Sequence, residues 1–200
     1  MMLMAQPWNN ESYLKWNEKN FRKCSAFSLP VSVFNPDYRL LNAAVFFVTN
    51  EIRVRFRKYP IPFSPLLESS AYHHSKAMAE QSFFSHTNPK DPTRATTSNR
   101  GSMAGIHNPA IAENIAMTYI GRKPSYLKIA EELVSMWMSS PGHRENILSD
   151  NPKAMGCGVY IRNGSTVFGT QNFQWFEQIV ESGGVHKDVL PPWDNSTTIQ

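Results

Sequence analysis

Cysteine is scarce. Cys24 and Cys157 are the only two in 200 residues, and no CxxC or comparable ligand cluster occurs. That count excludes a disulfide-stapled scaffold, and the missing cluster excludes a thiolate zinc site. Whether the two thiols meet is not set by their spacing. Long apolar runs are missing too: no segment approaches the roughly 18 consecutive apolar residues of a membrane-spanning helix. The opening Met1-Met-Leu-Met-Ala5-Gln6 is too short to be a whole signal peptide. It fits the tail of one, ending at the small residue Ala5, as well as it fits an internal start. Charge is weakly biased, with 20 Lys/Arg against 16 Asp/Glu, a net +4. Only Arg53, Arg55, Arg57 and Lys58 cluster, and they read as a solvated helix face. No nucleic-acid-binding motif is present, so nucleic acid is not an expected partner.

What is present suits one globular domain with tails: 41% hydrophobic and 12% aromatic residues in a chain long enough for a sizeable core. Between Asp37 and Lys58 the residues Leu41, Ala44, Val45, Val48 and Ile52 recur at three and four, the period of an amphipathic helix. Pro60 and Pro62 end it. Residues 65–82 predict a second helix, with Leu67, Ala71, His74 and Met78 on one face. His73 and His74 are adjacent, point to different faces and read as structural. Residues 93–110, rich in Ser, Thr, Asn and Gly, predict a long loop. Ala112–Met117 is a short apolar segment carrying one acid, Glu113. Residues 125–139 predict the best-defined helix, with Tyr126, Ile129, Ala130, Leu133 and Trp137 in one stripe. Strand segments at 155–161 and 166–173 flank Asn163-Gly164, a hairpin signal. Helices followed by a terminal hairpin predict α+β architecture. Residues 1–36 form an N-terminal extension whose aromatics call for a packing partner, 37–176 the domain, and 177–200 a loosely held tail.

The corner between the 125–139 helix and the next holds the most chemistry. Ser140 is placed to cap the following helix through its hydroxyl, and Pro141 suits the first helical position. His143 falls in the first turn, where the helix dipole favours the neutral imidazole. Neutral imidazole is the form that binds metal or accepts a proton.

Taken together, Leu41-Asn42, Asn50-Glu-Ile-Arg53, Phe84-Ser-His86, Ala112-Glu-Asn-Ile115, Trp137–Leu148, Gly156-Cys-Gly158 and Thr170-Gln-Asn-Phe173 resemble the CAP superfamily. This is the group of cysteine-rich secretory proteins, antigen 5 and plant pathogenesis-related proteins, and the likeness is to its bacterial, SCP-like branch. It covers about residues 40–175. It implies an α-β-α sandwich with a central cleft that in eukaryotic members carries two histidines and two glutamates. Matched residue by residue, the histidines are His86 and His143, and the first glutamate is Glu113. The second glutamate's place is held by Ser140. Asn114, Gln171 and Asn172 are further cleft candidates, and strand alternation sends only one of Gln171 and Asn172 inward.

Two neutral imidazoles can hold Zn2+ or another divalent cation, with Glu113 orienting a histidine or acting as a base. A Ser140–His143 nucleophile pair lacks an assignable orienting acid and oxyanion hole. The resemblance implies a secreted or envelope-associated protein, with no classical catalytic activity, that binds a small-molecule or lipid-like ligand or a partner. Its rivals are a metal-dependent hydrolase with Glu113 as base and a pure protein-interaction module.

Overall fold

The computed structural model describes residues 8–183. Six α-helices and three strands follow in the order α1 (Ser12–Lys15), α2 (Tyr38–Arg55), α3 (Pro65–Glu80), α4 (Thr97–Met103), β1 (Ile111–Tyr119), α5 (Tyr126–Ser139), α6 (Pro141–Leu148), β2 (Pro152–Arg162) and β3 (Thr166–Trp175). The long helices start where their sequences supply caps: Asp37, Ser64 and Ser125 accept the backbone N–H groups of Leu40, Leu67 and Lys128.

The strands form one antiparallel sheet in the order β1-β3-β2. Asn163 and Gly164 turn β2 into β3 with φ of 52° and 66°, both in the left-handed region that this turn demands. Helix α3 packs on one face of the sheet, and α2 and α5 cover the other. The expected α-β-α sandwich is therefore present. Its central layer is dry on both faces, so Val159, Val167, Phe173 and Met155 are all buried.

Helix α2 is buried almost all round from Leu40 to Asn50. It lies between the sheet, α5 and the N-terminal segment, so the run Val45-Phe-Phe-Val48 needs no polar face. The aromatics before Asp37 supply part of that cover. Phe21 and Phe27 are fully buried and, with Trp8, pack on Phe47.

Four expectations change. The 93–110 segment is not all loop: Thr96 and Asn99 form a reciprocal capping box that starts α4. Arg53 is not on a solvated face but buried, donating to the carbonyls of Tyr59, Ile147 and Ser149. It thereby ties α2 to the carbonyl end of α6, where a cation is favoured. Residues after Trp175 are pinned as far as Ser182 by bonds such as His107 N–H to Val180 O at 2.7 Å and Ser182 N–H to Gly105 O at 2.8 Å. The rest of the expected tail, 184–200, lies outside the described residues. Gln171 and Asn172 do point to opposite faces, yet both are buried because both faces are covered.

Candidate functional site

Because β1 is an edge strand, Glu113 near its start sits at the rim of the sheet. His86 approaches it from the segment after α3, and His143 from the first turn of α6 on the other side of the sheet. The imidazole centroids stand 6.5 Å apart. The three residues matched to the family's cleft are thus brought together from three separate elements.

Glu113 organises the group. Its side chain is only 2% exposed, whereas that of His86 is 52% exposed. Glu113 Oε1 accepts from His86 Nδ1 at 2.9 Å, and Oε2 accepts from Arg100 Nη2 at 2.7 Å. Burial acts to raise the Glu113 pKa, but His86, His74 and Arg100 outweigh it and hold the carboxyl below its usual range. An ionised carboxylate only accepts, so His86 Nδ1 carries the hydrogen. That leaves Nε2 as the ring nitrogen not engaged by Glu113. This is the arrangement in which a carboxylate fixes a histidine's tautomer.

Arg100 is itself buried, and it holds the loop that carries His86. Its Nη1 donates to the carbonyls of Arg94 and Ala95, and its Nη2 also donates to His86 O at 3.1 Å. His74 lies beneath, fully buried, with Nε2 3.0 Å from Ser85 O and 3.8 Å from Glu113 Oε1. Desolvation pushes its pKa down to about 4, with Glu113 pulling the other way. His74 is therefore neutral near pH 7, and Arg100 supplies the positive charge that balances Glu113.

Sequence reasoning missed both residues. His74 was legible only as a core position of α3. Arg100 stood in a segment of short polar residues that gave no sign of an ion pair with Glu113.

The second wall is held by amides. Asn114 Nδ2 donates to His143 O and to Gln171 Oε1, both at 3.1 Å, and its Oδ1 accepts from Asn146 Nδ2 at 2.9 Å. Gln171 Nε2 continues to Thr49 Oγ1 at 2.6 Å, and Thr49 to Val45 O. This buried chain fixes α6 against α2 through the sheet. Asn114 and Gln171 thus position His143, while Asn172 bonds Ser70 on the far face and does not join them. His143 is half-buried, and burial first, then His86, lowers its pKa. Desolvation is the larger of these two causes.

Ser140 occupies the N-cap position of α6, but its side chain makes no capping bond. The expected hydroxyl cap is absent because the hydroxyl is not turned back onto the helix N–H groups. Among the described residues no group of three or more His, Cys, Asp or Glu stands ready for a metal. Two imidazoles bound to one tetrahedral zinc would have centroids about 5 Å apart, against 6.5 Å between His86 and His143. Cys24 and Cys157 are both free thiols.

A separate groove of about 440 Å3 runs between α2 and α5, floored by Val48, Ile52, Val134 and Met138. Arg22 bridges it by pairing with Glu51 at 2.6 Å and Glu131 at 2.8 Å.

The sequence profile described as "CAP: Cysteine-rich secretory protein family" matches residues 46–173. The chain is 32% identical over 118 residues to the uncharacterized protein YkwD of Bacillus subtilis (strain 168), an alignment spanning 59% of this chain and 41% of that protein. It is also similar to the crystal structure of an extracellular protein containing a SCP domain from Bacillus anthracis str. Ames. That likeness has a TM-score of 0.55 and 27% identity, and it covers 70% of this chain and 42% of the other. The chain thus spans about four tenths of the length of each of these two relatives. No helix among the described residues is long and apolar enough to cross a membrane.

Proposed function

The chain belongs to the cysteine-rich secretory protein (CAP) family, and from that premise we propose that it is a non-catalytic binding module of a secreted or envelope-exposed protein. Its cleft offers two imidazoles, His86 and His143, to a divalent cation and to a small or lipid-like ligand. The observation that carries this reading is the occupancy of Glu113. Both of its oxygens are engaged, one by His86 and one by Arg100. A general base must come within hydrogen-bond reach of the proton it takes, and the Glu113 side chain, held between these two partners, is only 2% exposed. Glu113 instead sets a histidine's tautomer and neutralises a buried guanidinium. The place of the family's second carboxylate is held by Ser140, so no second acid stands in for it. A divalent ion, when bound, would supply a Lewis-acidic point for an oxygen of the ligand. The export assignment leans on the similar Bacillus anthracis protein, which is described as extracellular.

The test is zinc titration by calorimetry beside a panel of ester, amide and phosphoester substrates. Wild type is expected to bind one Zn2+, His86→Ala and His143→Ala to lose it, and no substrate to turn over. Turnover that disappears in a folded Glu113→Gln variant would establish the hydrolase instead. Absence of zinc binding would remove the metal from the reading.

A further inference from the structure

At the pole opposite the cleft, three loops meet. The 29–36 segment joins the loop after β1 through Val31 N–H to Pro124 O at 2.8 Å and through a Pro30–Ser125 bridge. Ile120 N–H reaches Ser165 O at 2.9 Å, which brings in the β2–β3 turn. Val33 and Phe34 lie against Gly164 of that turn. This tip carries large apolar side chains in water: Phe34 is 92% exposed, Tyr119 71% and Leu29 51%. Scattered exposed apolar residues are ordinary, but Leu29 and Phe34 share one segment and Tyr119 ends β1 where these segments adjoin.

The charge of the same tip is one-sided. Segments 28–36, 119–128 and 161–166 contain no carboxylate. They contain Arg122, Lys123 and Lys128, all exposed, and Arg162, which is turned inward onto Ala79 O and the Phe168 ring. The bordering acids are engaged. Asp37 accepts from Leu40 N–H, Glu80 from the Tyr160 hydroxyl and Glu132 from the Thr118 hydroxyl.

Apolar side chains that can enter the headgroup region, ringed by free cations, suit an anionic lipid surface. Charge complementarity selects lipid headgroups: the three segments carry exposed Arg122, Lys123 and Lys128 and no carboxylate. We propose that this tip seats the protein on anionic phospholipid bilayers, with Phe34, Tyr119 and Leu29 inserting and Arg122, Lys123 and Lys128 meeting the headgroups. Helix α5 runs from the tip at Tyr126 to the cleft beyond Ser139, a rise of roughly 20 Å over its 14 residues. The seated protein therefore holds its histidine cleft away from the lipid. The proposal does not depend on what the cleft binds.

The full chain is tested by co-sedimentation with vesicles of phosphatidylcholine alone and of equimolar phosphatidylcholine and phosphatidylglycerol. Binding is expected only to the second, and it should fall in about 1 M salt, where the screening length is roughly 3 Å. Each charge removed weakens an anionic surface by roughly fivefold, so Arg122→Gln with Lys123→Gln should lower the partition coefficient about 25-fold. Phe34→Ser should lower it about tenfold through lost ring burial. These positions are exposed, and unchanged melting verifies that the variants fold. No binding to the anionic vesicles, equal binding to both compositions, or full binding by the two tip variants overturns the proposal.

Discussion

Glu113 and Glu68 are both buried carboxylates with opposite fates. Glu113 has Arg100 against it and stays ionised. Glu68 on α3 has the Tyr13 hydroxyl at 3.1 Å, and burial, only partly offset by Arg39 and Tyr13, raises its pKa to about 7. The sign follows from proton counting. Between the unfolded value near 4.5 and about 7 the folded state binds more protons than the unfolded one, so stability falls as pH rises through that window. The full loss, of the order of 3 kcal/mol, is present above the folded value. Glu68→Gln keeps an acceptor for Tyr13 and removes the charge. His74, depressed to about 4, makes both proteins gain stability as pH rises toward 6.5, so the Glu68 effect is read as a difference: by urea denaturation the margin of Glu68→Gln over wild type is expected to grow by about 2–3 kcal/mol from pH 5 to 8. A margin that does not grow across this range contradicts it. Residues of this kind were hard to read in the sequence. His86, Glu113 and His143 were legible through their motifs, whereas Arg100 and His74 acquire their roles only when the chain folds back on Glu113.

Helix α3 and strand β2 meet unusually closely, and two glycines permit it. A Cβ added at Gly156 would overlap the backbone of Leu67 and Glu68, and one at Gly158 the backbone of Ala71 and Tyr72. Backbone cannot swing aside as a side chain does, so Gly158→Ala must push the two elements apart. Overpacking of this kind costs about 3 kcal/mol or more, measurable as a lower urea midpoint at unchanged slope. A midpoint within error of wild type would show that the layers give way freely. The elements themselves were mostly legible: α2, α3 and α5 from apolar periodicity, and the hairpin from Asn163-Gly164. Helix α4 was not, because Ser, Thr and Asn are poor helix formers and only the Thr96–Asn99 capping box starts it. The segment Ile111–Tyr119 showed no alternation, since an edge strand covered on both faces has no wet side to mark with polar residues. The same double cover explains how Gln171 and Asn172 point to opposite faces and are both buried.

The N-terminal segment lies outside the family match at 46–173, yet it closes the core of the whole molecule. Tyr13 stacks on Phe63 with ring centroids 3.5 Å apart, and Trp8, Phe21 and Phe27 surround Phe47. Arg22 clips the segment to both α2 and α5 through Glu51 and Glu131. Four buried apolar side chains, Trp8, Phe21, Phe27 and Val31, supply roughly 8 kcal/mol gross at about 2 kcal/mol each. A chain beginning at Asp37 is therefore expected to melt lower, by roughly 2–4 °C for each kcal/mol lost, and to bind an apolar dye at the uncovered Phe46 and Phe47. It should also lose the pH dependence assigned to Glu68, because that carboxylate would then reach water. The two effects belong to one docking event, so both must appear together. A truncated chain with the melting temperature, dye response and pH profile of the full chain would make the segment an appendage, and would place the stability of the molecule within the family domain alone.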